Sequence, residues 1–114
     1  MRGGLVGKLT LTPEVLPLIA ERFKVLAEPA RLQILSCLRH GEMTVGELVE
    51  QTELGQANVS KHLQLLHASG FVKRRKDGLY VCYSLADKGV FQLCDIMCGR
   101  LDAELRKRRK LLAS

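Results

Sequence analysis

Between Thr44 and Leu85 two helix signals lie three residues apart and a hairpin signal follows at once; this succession constrains the fold more than anything else in the chain. Thr44-Val45-Gly46-Glu47 is a capping box, in which the Thr and Glu side chains each satisfy an orphan amide at a helix start. The helix it opens runs through Leu48 and Val49 to about Thr52. Glu53-Leu54-Gly55 makes a tight connection, and Gln56 begins a longer helix through Val59, Leu63 and Leu66 that Ser69-Gly70 ends. Two helices joined in this way are a helix-turn-helix. After Gly70 the period changes from helical to alternating. Residues 71–76 and 79–85 flank Asp77-Gly78, a strong hairpin signal, and Val81, Tyr83 and Leu85 alternate with polar or small residues as one buried face requires. A hairpin directly after the second helix of such a motif is a wing.

The flanks read as further helices. Thr12-Pro13-Glu14 has the cap, proline and acid of a helix start, and Leu16, Ile19, Phe23 and Leu26 follow as one amphipathic stripe. Glu28-Pro29 interrupts, and a second helix from Pro29 is expected to bury Leu32, Leu35 and Leu38 before stopping near Gly41. Asp87 can cap a last helix with the stripe Val90, Leu93, Cys94, Met97, Leu101 and Leu105, ending in Arg106-Lys107-Arg108-Arg109-Lys110. The expected fold is mainly α with a β-hairpin wing, a winged helix-turn-helix dimerising through its terminal helices. Residues 1–11 read as a flexible N-terminus, 12–106 as the DNA-binding and dimerisation domain, and 107–114 as a basic tail. At 114 residues the chain fits one domain, and the stripe from Leu93 to Leu105 is longer than so small a core can cover. A homodimer through that helix is therefore expected.

Charge separates the candidate partners. The net charge is +6, which favours an anionic partner, either nucleic acid or a membrane surface. No stretch approaches the roughly 20 apolar residues that span a bilayer, and the start of the chain has no signal-peptide core, so a cytoplasmic protein with no membrane association is expected. The distribution says more than the sum. From Gln56 to Lys76 there are five cations, two histidines and no carboxylate, whereas from Glu42 to Glu53 there are four glutamates and no Lys or Arg. A basic helix and wing beside an acidic support is the footprint expected on phosphate, although charges can also merely solvate a helix face. Gln56, Asn58, Ser60, Lys61 and His62 occupy the first two turns of the second helix, which approach base edges in this motif. Gln and Asn can pair with adenine, Lys can donate to guanine, and Ser suits base or phosphate. Arg74 and Arg75 are adjacent strand positions facing opposite ways, so one of the two is expected to reach the minor groove or backbone. His62 and His67 read as polar contacts rather than metal ligands, and no metal site is expected.

Four segments in fixed order carry a family resemblance: Glu28-Pro29-Ala30-Arg31-Leu32-Gln33-Ile34-Leu35, Val45-Gly46-Glu47-Leu48, Gln56-Ala57-Asn58-Val59-Ser60-Lys61-His62-Leu63 and Gly70-Phe71-Val72. Together they resemble the arsenical-repressor (ArsR/SmtB) family over residues 15–105, and the third is the most specific. The resemblance implies a dimer built from first and last helices, and a repressor that an inducer releases from an imperfect inverted-repeat operator. Its effector sites do not carry over whole. Arsenic and cadmium sensors of the family often have Cys-x-Cys at the helix before the turn, where residues 42–48 hold no thiol. Zinc sensors carry Asp, His, His and Glu on the last helix; Asp87 matches the first, but the others are Gly89, Arg100 and Ala103, too few ligands for zinc. Redox members pair a second-helix Cys with one near the end of the last helix. Cys37 lies one residue beyond that position, which Ser36 occupies, and Cys98 lies about a turn early.

The four cysteines, Cys37, Cys82, Cys94 and Cys98, match no zinc-finger or secreted-framework spacing, and no role is assigned to Cys82. Cys94 and Cys98 are four apart on one helix, so their sulfurs can share a soft ligand. The expected inducer is thus a soft, thiol-reactive species, arsenite ahead of a persulfide, with trivalent arsenic taking a third thiolate from Cys37 or from the other subunit. The alternative is a regulator without thiol sensing, its cysteines simply packed. A pure protein-interaction module has no need of the carboxylate-free stretch from Gln56 to Lys76. An enzyme is not expected, since no P-loop, nucleophile elbow, His-Glu-x-x-His or paired carboxylates occur.

Overall fold

The computed structural model describes residues 10–113, so residues 1–9 of the expected flexible N-terminus, like Ser114, lie outside the described residues. In chain order the elements are α1 (Leu16–Leu26), α2 (Pro29–Cys37), a one-turn 3-10 helix (Leu38–His40), β1 (Met43–Thr44), α3 (Val45–Thr52), α4 (Gln56–Ala68), β2 (Val72–Asp77), β3 (Tyr80–Leu85) and α5 (Val90–Ala113). The helix-turn-helix is α3 and α4. Thr44 Oγ1 accepts from the Glu47 amide at 3.1 Å while the Thr44 amide donates to Glu47 Oε1 at 2.8 Å, so the capping box is formed. The connection turns at Glu53, whose φ of 59° is left-handed, and Gly55 is in an ordinary extended conformation ahead of α4.

Ile34, Leu35 and Leu38 of the second helical segment, Leu48 of α3 and Val59, Leu63 and Leu66 of α4 are the largest fully buried side chains. Val72, Tyr83, Val90 and Phe91 close this core from the sheet and the start of α5. The sheet is antiparallel in the order β1-β3-β2. The two-residue loop of the wing is Gly78-Leu79, one place later than the Asp77-Gly78 signal suggests, because Asp77 pairs with Tyr80. A positive φ at Gly78 (63°) and not at Leu79 is the pattern of a type II′ turn. β3 does not have one buried face: Cys82 and Tyr83 are both buried, Val81 and Leu85 partly so. As the central strand it has neighbours on both sides, and Arg75 and Thr44 flank Cys82 across the sheet.

The terminal helices depart most from the expectations. Thr12 makes a turn, accepting from the amides of Val15 and Leu16 at 3.0 and 2.9 Å, and α1 begins at Leu16 with Pro17 in its first turn. Either Pro13 or Pro17 suits a helix start, and regular bonding begins at the second. α5 continues to Ala113, so residues 107–113 are helix rather than a separate tail. After Gly99 there is no Gly or Pro to stop it, and Asp102 pairs with Arg106 at 3.0 Å along its surface. Its base is anchored by buried Val90 and Phe91, with the Arg39 guanidinium 4.6 Å above the Phe91 ring and 3.6 Å from Asp95. Every residue from Asp95 to Ala113 is exposed. The stripes expected to be core are largely open: Leu16, Phe23 and Leu32 are exposed, as are Leu93, Met97, Leu101 and Leu105, and Val25 is the buried residue of α1.

Candidate nucleic-acid interface

The side of α4 opposite the core is centred on Ala57, Lys61 and Gln64, with Asn58 and Leu65 beside them, all exposed. This follows from its period, since Val59, Leu63 and Leu66 fill the inward stripe. Gln56 begins the helix and is exposed, and Ser60 is half-buried. Gln64 was not among the residues singled out from sequence, although a spacing of three from Lys61 marks it. No side chain caps the start of α4, so its first amides point outward.

From Lys73 to Tyr80 every residue of the wing is exposed, and Leu79 at the tip is 99% exposed. Leu79 sits in the turn although the sequence pattern places it in the strand, and Tyr80 opens β3 as expected with an exposed side chain. Arg74 pairs across the hairpin with Tyr83, and Arg75 with Cys82.

Two of the expected contact residues are tied to partners within the protein. Arg75 donates to both carboxylate oxygens of Glu42, at 2.6 Å from Nε and 2.7 Å from Nη2, with an Asp77 carboxylate oxygen 3.9 Å from the same Nη2. This bidentate pair holds the Glu42 carboxyl below its usual range and drives the guanidinium pKa upward. Arg75 therefore staples the wing to the segment before β1, and among the described residues Arg74 has no such clamp. His62 is half-buried, and its Nδ1 accepts from Arg31 Nε at 3.2 Å. Burial first, then the neighbouring Arg31, lowers its pKa, Lys61 adding to the effect and Glu28 opposing it.

The expected effector thiols lie elsewhere. Cys94 and Cys98 line an open apolar groove of about 520 Å³ between α1, α2 and α5, walled by Phe23, Leu26, Leu32 and Met97. Cys37 is not among the lining residues, and burial raises its pKa, which keeps it a thiol. The structure thus does not bring Cys37 to the other two. Cys82 is buried in β3. Among the described residues no three His, Cys, Asp or Glu side chains gather as a metal-binding group. No helix among them is long and apolar enough to cross a membrane.

The model for bacterial regulatory proteins of the arsR family matches residues 28–74, from the turn before α2 into the wing. The probable mercury resistance operon repressor of Streptomyces lividans is 40% identical over 74 residues, 65% of this chain and 59% of that protein. Across three curated relatives at 38 to 40% identity, the chain spans 59 to 66% of their lengths. Among solved structures, Rv0081 of M. tuberculosis superposes with a TM-score of 0.75 at 35% identity, covering 85% of this chain and 98% of that one. The homodimeric winged helix-turn-helix DNA-binding domain Mb0332 of Mycobacterium bovis gives 0.74 at 30% identity, covering 89% and 94%. In sequence and in the winged helix-turn-helix that α3, α4 and the wing build, this chain belongs to the arsR family of bacterial regulatory proteins.

Proposed function

We propose that the protein is a transcriptional repressor that binds an inverted-repeat operator in duplex DNA as a homodimer. One observation supports this reading: the outward face of α4 and the adjoining wing expose Asn58, Lys61, Gln64 and the run Lys73 to Lys76, with no carboxylate from Gln56 to Lys76, on a scaffold that presents both together. In this reading Lys61, Gln64, Asn58 and Gln56 meet base edges, while Arg74, Lys73 and Tyr80 contact phosphate. A second copy is the occupant we assign to the apolar groove. Leu101, Leu105 and Leu112 continue the line of Cys94 and Cys98 along α5, so the face extends beyond one subunit's body, and the relative Mb0332 is homodimeric. The test is a duplex selected from a random-sequence pool, measured against competitor DNA over a range of salt. Lys61→Ala and Arg74→Ala should each weaken binding and lower the salt slope by about one. Binding that ignores salt would refute the reading.

The inducer we propose is a soft, thiol-reactive species, arsenite before a persulfide. Cys94 and Cys98 sit one turn apart on the proposed dimer face, where a ligand would change how two subunits pack. Arsenious acid exchanges a hydroxyl for each cysteine sulfur, the thiol's proton leaving with that hydroxyl as one water per As–S bond, and a third sulfur would come from the second copy. Release of a bound duplex should be lost in a Cys94→Ser, Cys98→Ser double variant. Equal release of both proteins, or of neither, would leave these thiols as packing.

A further inference from the structure

His62 lies in the recognition helix, yet it is turned toward α2 rather than toward Lys61 and Gln64. Its Nδ1 receives the Arg31 Nε hydrogen at 3.2 Å, and Arg31 Nη1 donates at 3.0 Å to the carbonyl of Val25 in the last turn of α1. One guanidinium on α2 thus reaches both the helix that would face a partner subunit and the helix that would face DNA. Val25 is the buried residue of α1, and its neighbours Phe23 and Leu26 line the apolar groove. If the groove is the dimer face, the separation of two recognition helices depends on how each α4 is fixed to its own α1. We propose that Arg31 is a positioning residue for operator binding, which fixes α4 against α1 by bridging the Val25 carbonyl and a neutral His62. This rests on the DNA-binding reading above and assigns His62 to the support rather than to the duplex.

The bridge requires an unprotonated Nδ1, because Arg31 can only donate. The charged groups acting on His62 are Arg31 and Glu28 at the start of α2 and Lys61 on its own helix. Burial, Arg31 and Lys61 oppose protonation and Glu28 favours it, with a net lowering, so the acceptor form prevails at neutral pH. A proton on Nδ1 would set two donors against each other and release α4. The sign of the pH effect then separates the two roles of His62. An imidazolium touching phosphate would tighten binding in acid; a bridge that breaks would weaken it.

The experiment uses the full chain and a duplex it selects from a random pool at about pH 7.5, titrated to about pH 6 at constant salt. Wild-type affinity should fall about threefold for the selected duplex and less for non-selected DNA, since a His62 pKa below the usual imidazole range leaves much of it neutral at pH 6 and misplaced recognition helices keep their phosphate contacts. His62→Asn places an amide oxygen where Nδ1 stood, and should lose the acid weakening. His62→Leu, without an acceptor, should bind the selected duplex about tenfold more weakly than His62→Asn at both ends of the range. Arg31→Lys should be weakened at both ends as well. Wild-type binding that is flat or tighter in acid, or His62→Leu matching His62→Asn, would overturn the proposal. A chain that selects no duplex would instead remove the DNA-binding reading and this one with it.

Discussion

Replacing Met97 by Glu tests the assignment of the apolar groove to a second copy of the chain. Met97 is 70% exposed in the single subunit, on the stretch of α5 that lies beyond the buried anchor at Val90 and Phe91. It therefore contributes little to the fold of one chain, and the substitution should change that chain's own stability by less than about 0.5 kcal/mol. In a two-fold dimer the same side chain is buried twice. Burying a methionine contributes roughly 1.5–3 kcal/mol, so the two copies together contribute about 3–6 kcal/mol to association. Losing that raises the dissociation constant about a hundredfold to ten-thousandfold, before the cost of desolvating two carboxylates is added. Sedimentation equilibrium in the micromolar range should give the mass of two chains for the wild type and of one for Met97→Glu, with the helical far-UV signal of the body retained. Leu79→Glu, the same change at the wing tip, should leave the mass at two chains. A wild-type mass of one chain, or a Met97→Glu dimer of unchanged affinity, would refute the reasoning.

Three further outcomes test the scaffold. Leu63 is fully buried on the inward side of α4, and Leu63→Ala should cost about 2–5 kcal/mol in urea unfolding; a cost near zero would mean that α4 is not packed as described. Glu53 turns the helix-turn-helix with a φ of 59°, and Glu53→Gly should raise stability by about 0.5–1 kcal/mol, the relief of a left-handed Cβ partly offset by the glycine's freedom in the unfolded chain. Thr44→Ala removes the acceptor for the Glu47 amide and should cost about 1 kcal/mol, whereas Thr44→Ser should retain most of the cap; equal losses in both would rule the hydroxyl out as the cause.

The elements at the centre of the chain were legible because their determinants are local. A capping box is read within four residues, and a helix stripe within three turns. The side chains that shape the candidate interface from behind were not. Glu42 clamps Arg75 across 33 positions and Arg31 meets His62 across 31, and nothing in the residue types alone marks those pairs. Both involve residues that composition assigns to DNA, since a basic side chain reads as a phosphate contact until its partner is seen. β1, two residues long, has too little sequence for any period. The wing turn was displaced by one residue because Asp-Gly marks a loop without saying which of its positions bears the positive φ; the pairing of Asp77 with Tyr80 decides it.

The terminal helices show a different gap between sequence and structure. The period of Phe23, Leu93, Met97, Leu101 and Leu105 records that a face will be covered, and it does so whether the cover comes from the same chain or another. In the subunit that face is open, with exposures from 41% at Leu105 to 70% at Met97. Hydrophobic burial is non-directional, so an amphipathic stripe carries no address. What supplies one is the size of the core: among the described residues, twelve buried ones on α2, the 3-10 turn, α3, α4, the sheet and the ends of α1 and α5 are already satisfied by one another, and none of these is left to cover the rest of α5. The same reasoning changes the meaning of Cys94 and Cys98. Read as part of an internal core they would be inert small residues; they line an open apolar face instead, and under the proposed assembly their surroundings would be completed only by a second subunit, where a ligand would act on assembly and operator binding together.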